Sequence, residues 1–502
     1  MSPSEAVLDD TRSRVLRGIG WKVISSITLQ SSRIVTAVLL ARLLTPHDYG
    51  LAGMVLVVSA LVAVFADLAF GAALIQRRTL SEADRSTVFW TSVGMGLLFT
   101  LAGVAASPLV ADFYGEPDVA PLFAAFSLSF LVTSLASTQS ALLTREMNFR
   151  SLELRKMISY LCAAVAGISV ALAGYGAWAI IWQQLVGAVV STTLLIVFSP
   201  WRPSFVYSLE SLRRLGGFSA SVFGARILFY FNRNADNLLI GRFLGPTALG
   251  AYTVSYNVML TPMSDVAEPV TEVLFPAFSR HQDEPSRIAA AWMRVNRLVG
   301  TISIPVMLGL IVVAPDFVST LLGDKWNLAV PVIQILAWVG LLQSLQRLNS
   351  SILAARDQAN VLFRYSVIVL VVTLSSFVAG LPWGIVGVAA AYAIVSTFLE
   401  PYYTWLTARA LGVGLLDFVR AISGVAQAAA LMAAVVALAR VGLVEAGMAA
   451  PARLVLLIVL GAVVYVPVVL WRAPEVLEEI KDLLARRRGR TVAPPAVAEA
   501  NA

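Results

Sequence analysis

Fourteen stretches of about twenty mostly apolar residues settle the class of structure before any motif is considered. They lie near 20–43, 49–75, 87–111, 119–143, 157–174, 176–198, 215–241, 247–275, 293–314, 327–354, 361–381, 384–407, 416–439 and 451–471. A helix needs about 20 such residues to cross a bilayer, where no water can satisfy an exposed peptide group. Apolar residues make up 58% of the chain and charged ones 13%, against roughly 45–50% and 25% in soluble domains. A chain of that balance cannot cover a water-facing surface. The expected fold class is an all-α integral membrane protein with fourteen transmembrane helices.

Charge sets the expected direction of these spans. With the N-terminus in the cytoplasm, Arg77, Arg78, Arg145, Arg150, Arg202, Arg213, Arg280, Arg294, Arg356, Arg409 and Arg486 all fall in inner connections or the tail. The outer connections hold only Arg42, Arg242, Lys325, Arg440 and Arg453. That asymmetry is the positive-inside pattern, with both termini cytoplasmic. Residues 1–17 read as a polar N-terminal segment. Residues 473–490 place Val476, Ile480, Leu483 and Leu484 on one helical face among basic residues, an amphipathic helix for the inner leaflet. The rest, to 502, is rich in Ala and Pro and reads as disordered. The net charge of +7 is spread over many short connections, which is no nucleic-acid footprint. One cysteine, Cys162, and two histidines, His47 and His281, leave no material for a disulfide framework or a thiolate metal site.

A phrase repeats at an offset of 200 residues. ARLLTPHDYG at 41–50 returns as GRFLGPTALG at 241–250, aligning Arg42 with Arg242, Pro46 with Pro246 and Gly50 with Gly250. The same register places Arg33 on Arg233. A weaker echo pairs Val190-Ser191-Thr192 with Val395-Ser396-Thr397. The chain therefore divides into a six-helix bundle at 18–200, a second at 201–410, and an added pair of spans at 411–472, followed by 473–502. Six spans per copy give both copies the same direction, related by an axis along the membrane normal and facing each other across a cleft.

Polar residues inside the spans mark the candidate site, because a charge at membrane depth is expensive. Gln30 and Arg33 share a face of the first span with Ser26; Arg226, Tyr230, Arg233 and Asn237 share a face of the seventh. Arg233 and Asp236 could pair across one turn, a purely structural arrangement. Arg33 and Arg226 have no acid at that spacing, which favours a solvated, anion-binding cavity. The planar guanidinium fork suits phosphate because it donates two parallel hydrogen bonds. In the eighth span Asp265, Glu268 and Glu272 share one face between Pro262 and Pro269. Three like charges there point to H+ or Na+ coupling, or else to Glu272 in water and Glu268 paired with an arginine. Asp67 in the second span is a plausible partner for Arg33. Arg347, beside Gln343, Gln346 and Ser350, either contacts ligand or snorkels to headgroups.

No nucleotide-binding loop or metal-ligand spacing is present, and no outer connection is large enough for a catalytic domain, so the chain reads as a transporter and not an enzyme. With these features, the phrases GIGWKVIS, ARLLTPHDYGLAGM, FADLAFGAALIQ and RNADNLLIGRFLGPTALGAYTVSYN resemble the multidrug/oligosaccharidyl-lipid/polysaccharide flippase superfamily. The likeness is to its Wzx-type polysaccharide transporter branch, colanic and teichuronic acid exporters included, over roughly residues 15–440. The resemblance implies a V-shaped pair of six-helix bundles in the bacterial cytoplasmic membrane, working by alternating access. Its implied cargo is an undecaprenyl-diphosphate-linked oligosaccharide, and its implied partners are membrane lipids, a polysaccharide polymerase and a co-polymerase. It implies no bound cofactor beyond a coupling ion. Arg33, Arg226 and Arg233 become the expected diphosphate or acidic-sugar contacts. The rival readings are a MATE-like cation/drug antiporter, which calls for an acid-dominated cavity, and a transport-inactive scaffold for polysaccharide assembly.

Overall fold

The computed structural model describes the backbone of residues 29–66, 74–75, 77, 79–216, 219–280 and 285–479; side chains at 66, 214–216, 219–223, 225, 262–280 and 359 are outside that description. Helix α1 spans 29–43. It is followed by α2 Pro46–Ala66, α3 Glu82–Tyr114, α4 Val119–Ser134, α5 Ser137–Arg145, α6 Phe149–Leu172, α7 Trp178–Phe198 and α8 Leu209–Gly216. Then come α9 Ser219–Arg280, α10 Pro285–Phe317, α11 Val330–Ser344, α12 Asn349–Ala355, α13 Ala359–Gly380, α14 Gly384–Ala410, α15 Leu415–Glu445 and α16 Ala450–Arg472. Within the described residues each of the fourteen apolar stretches is largely helical. Among the described residues nine helical stretches are long and apolar enough to cross a membrane, or ten if the pair α4 and α5, bent by 42°, is one span. One of the nine, Asn360–Ala410, contains both α13 and α14.

Local chemistry places the helix ends. The α2 start carries Thr45 with Pro46 as the first helical residue; the Asp48 amide donates to the Thr45 hydroxyl at 3.2 Å, and the Thr45 amide donates back to the Asp48 carboxylate at 2.8 Å. This reciprocal cap satisfies two otherwise orphaned donors. The repeat puts Gly245 where Thr45 stands. At φ 81°, ψ 179° it breaks α9 into two arms, and only glycine takes that conformation without strain. Ser81 and Asp84 cap α3 in the same reciprocal way.

The chain forms two compact units. Residues up to Thr253 with Leu321–Lys325 make the first; Val254–Thr320 with Trp326 onward make the second. In the first, small residues let helices approach closely, as they must where apolar burial cannot drive association. A Cβ on Gly96 or Gly103 of α3 would lie 2.3 Å from the hydroxyl oxygens of Ser134 and Ser127 on α4. Between them Thr100 donates to the Ser127 carbonyl at 2.9 Å. Leu40, Leu44, Ala52, Ala171, Ala179 and Ile180 bring α1, α2, α6 and α7 into one core.

In the second unit α15 and α16 strap α10 at both ends. Asp316, 1% exposed, accepts from Nε of Arg440 at 2.6 Å and from Nε of Arg453 at 2.7 Å. At the far end of α10, Arg297 pairs with Glu479 at 2.5 Å. Midway, the Tyr465 hydroxyl donates to the Thr301 carbonyl at 2.8 Å. Arg440 and Arg453, counted from the sequence among the cations of the outer connections, are both held on one buried carboxylate. Of the expected amphipathic helix after α16, residues 475–479 are helical; 480–490 lie outside the described residues.

Candidate functional site

The first unit holds six of the seven expected substrate contacts. Arg33 on α1 is exposed, its guanidinium carbon 5.8 Å from the centre of the Tyr160 ring. Arg233 on the first arm of α9 is exposed too, and among the described residues it makes no ion pair with a carboxylate. Gln30 and Arg226 are half-buried. Exposed guanidinium groups on these two helices can hold an anion from solution or from a headgroup, because each keeps free donors.

One member of the expected face has other work. Tyr230 is buried, and its hydroxyl donates to the Val57 carbonyl at 3.0 Å, tying α9 to α2. Asn237 is half-buried with its side-chain oxygen lacking a donor among the described residues. The pairing of Arg233 with Asp236 is not formed. Asp236 is 4% exposed and accepts from the Tyr252 hydroxyl at 3.0 Å and from the Asn237 amide at 2.8 Å. Its partner lies sixteen residues on, across the break at Gly245, where helical spacing gives no hint of it.

Arg347 is half-buried and belongs to the second unit. Its neighbours are spent inside that unit: Gln343 donates to the Tyr392 hydroxyl at 2.7 Å, and Gln346 to the Glu400 carbonyl at 2.6 Å and the Thr404 hydroxyl at 2.8 Å. The polar face read there is therefore largely a set of internal tethers. Asp67 lies outside the described residues. Asp265, Glu268 and Glu272 fall on helical backbone whose side chains lie outside them as well. The described residues contain no group of three His, Cys, Asp or Glu side chains able to hold a metal ion.

The repeated phrase supplies what spacing could not. Its two copies pack on each other, reciprocally. A Cβ on Gly50 would fall 1.8 Å from the Pro246 carbonyl oxygen, and one on Gly250 would fall 1.8 Å from that of Pro46. All four residues are buried. So α2 and the second arm of α9 cross backbone to backbone, each Cα–H of the glycine meeting a first-turn carbonyl of the other copy. The repeated arginines flank this crossing. Arg42 donates through Nε to the Leu321 carbonyl at 3.0 Å, and the Lys325 ammonium donates to the Arg42 carbonyl at 2.7 Å. Arg242 sits 6.0 Å over the Phe113 ring. Arg42 thus reaches the connection that follows α10, and Arg242 the last turn of α3. The repeat was visible in the sequence; its self-association was not.

Comparison with known proteins places this arrangement. A family model described as "Polysaccharide biosynthesis protein" matches residues 39–331. The lipopolysaccharide biosynthesis protein WzxC of Escherichia coli (strain K12) is 30% identical over 362 residues, covering 71% of this chain and 73% of that one. The succinoglycan biosynthesis transport protein ExoT of Rhizobium meliloti (strain 1021) is 29% identical over 489 residues, 97% of this chain and 98% of that one. Among solved structures, the lipid II flippase MurJ in an inward closed conformation matches with a TM-score of 0.75 at 15% identity, covering 94% of this chain and all of that one. At that identity the likeness shows a common fold.

Proposed function

Since the chain belongs to the polysaccharide biosynthesis protein family, we propose that it is a flippase for a lipid-linked oligosaccharide, undecaprenyl-diphosphate-linked in a bacterial cytoplasmic membrane. It is a multi-pass membrane protein and not an enzyme. The observation that carries the reading is the pair of exposed arginines, Arg33 and Arg233, at matching places in the two copies of a transporter fold. A diphosphate and its sugars cannot enter hydrocarbon unaided, for the same reason that an isolated charge cannot. Guanidinium groups facing a wet path let the headgroup cross while the polyprenyl tail stays in lipid.

In this reading the six-helix bundles 18–200 and 201–410 alternate access to the two sides, and 411–472 is the added pair. Arg33, Arg226 and Arg233 contact the diphosphate or an acidic sugar, with Gln30, Asn237 and Arg347 as polar neighbours. Asp67, Asp265, Glu268 and Glu272 are the candidates for coupling to an H+ or Na+ gradient. Both termini lie in the cytoplasm, and a polymerase and co-polymerase receive the product outside.

The test is genetic. In a strain lacking paralogues, Arg33→Gln, Arg226→Gln and Arg233→Gln together abolish surface polymer while membrane-inserted protein stays at its normal amount. Normal polymer in that strain would defeat the anion-binding role.

A further inference from the structure

Between the two repeats runs a segment, WRPSFVYSLESLRR at 201–214, that is short, aromatic and basic. A linker of this kind would ordinarily be slack. Here it is fastened to the start of α3 along its length. The Trp201 indole donates to both Glu82 carboxylate oxygens, at 2.9 and 3.1 Å. The Ser204 amide donates to the Ser86 hydroxyl at 3.2 Å, and the Trp90 indole donates to the Ser204 carbonyl at 2.9 Å. The Ser208 amide donates to the Thr87 hydroxyl at 2.9 Å, and Ser208 then caps α8 through the Ser211 amide at 3.2 Å. Leu212 packs against Leu74, Val88 and Ala141, closing the attachment.

Fastening the backbone this way holds apolar side chains outward. Phe205 is 93% exposed although it stacks on Trp90, ring centres 5.3 Å apart. Leu209 is 64% exposed, and Val206 and Tyr207 are exposed beside them. Three of these four would bury readily in an ordinary core, so a rigid loop that displays them needs an apolar neighbour. Trp90 fixes the depth, because α3 passes from its capped, charged first turn to a stretch with no charge between Arg85 and Asp112, and Trp90 stands near its start. Aromatic rings at that level of a spanning helix sit at the boundary between acyl chains and headgroups. Arg202 and Arg213 are exposed at either end of the patch, with Glu210 as the single exposed acid between them.

We infer that the segment joining the two repeats, residues 201–213, is a contact surface for anionic phospholipid, its aromatics in the acyl boundary and its arginines among phosphates. Apolar area with flanking cations is the combination that binds an interfacial segment to a negatively charged leaflet. The assignment goes beyond the cargo reading and does not depend on it.

Cys162 is the chain's one cysteine, so the full-length Cys162→Ser, Phe205→Cys protein takes a single nitroxide label. It is compared in phosphatidylcholine vesicles with and without phosphatidylglycerol. The label is expected to collide more with oxygen than with a water-soluble nickel chelate, and more so when phosphatidylglycerol is present. Arg202→Gln and Arg213→Gln, with Phe205 intact, are each expected to cut the preference for phosphatidylglycerol over phosphatidylcholine about fivefold, as one cation near an anionic surface does. A label fully open to the nickel chelate in both membranes would overturn the inference. So would indifference to phosphatidylglycerol, or spin–spin broadening in lipid-free detergent, which would mean that a second copy covers the patch. None of these readings requires an oligosaccharide substrate.

Discussion

Replacing Gly50 by Ala puts the crossing of the repeated phrases under direct strain. The new methyl carbon would sit 1.8 Å from the Pro246 carbonyl oxygen, where real Cβ contacts stay beyond 3.0 Å. The obstacle is backbone at the first turn of a helix, so no side-chain rotation relieves it. The helices must part by a little over 1 Å, losing the close packing around Gly53, Leu249 and Thr253 as they do. Overpacking of this kind costs about 1–3 kcal/mol, and a backbone-to-backbone clash belongs at the upper end. Gly250→Ala should cost the same, because its methyl would meet the Pro46 carbonyl at the same distance. Once the first methyl has forced the helices apart, the second enters space already opened. The double variant should therefore fall short of the sum by about 1 kcal/mol or more, the coupling expected of two changes at one contact. Reversible unfolding of the four proteins in mixed micelles, titrated with a denaturing detergent, measures both quantities. Wild-type stability for Gly50→Ala, or strict additivity of the pair, would show that the two phrases do not cross as described.

Other substitutions follow from the same geometry. Asp316→Ala leaves the half-buried Arg440 and Arg453 without their shared carboxylate and should cost about 1–3 kcal/mol in the same unfolding assay; Arg440→Gln alone should cost clearly less, because Asp316 keeps Arg453. Tyr230→Phe removes one donor from the Val57 carbonyl and should cost about 0.5–1.5 kcal/mol, with substrate exchange largely kept; a loss as deep as that of Arg233→Gln would return Tyr230 to the substrate contacts. Asp236→Asn keeps an acceptor for the Tyr252 hydroxyl and should cost less in the same assay than Asp236→Ala, which leaves that buried hydroxyl without it.

The helices were legible because their signal is local: about twenty mostly apolar residues declare themselves without knowledge of neighbours. The repeat was legible for the same reason. What the residues touch was not. Arg33 and Arg233 are exposed, but Tyr230, on the same face as Arg233 by spacing, turns to Val57 across a sequence separation of 173 residues. Asp236 chose Tyr252 over the arginine one turn away, because the break at Gly245 folds the second arm of α9 back beside the first. Arg440 and Arg453 look like solvated loop charges until Asp316 is placed between them. In each case the deciding partner is distant in sequence, and periodicity carries no information about it. The glycines are the instructive middle case. Their recurrence at 50 and 250 showed that something required the smallest residue twice; only the coordinates show that each is required by the other copy.

The central claim is that the matched arginines carry a lipid-linked anion across the bilayer. The most direct measurement is leaflet exchange in vesicles holding the purified protein and a fluorescent undecaprenyl-diphosphate-linked oligosaccharide, scored by quenching from outside. The wild type should exchange the lipid, while the Arg33→Gln, Arg233→Gln protein should be slower by tenfold or more, as losing a charge-assisted contact worth about 1.5–3 kcal/mol requires. Exchange at the wild-type rate by that double variant, or none by the wild type under any ion gradient, would contradict the account.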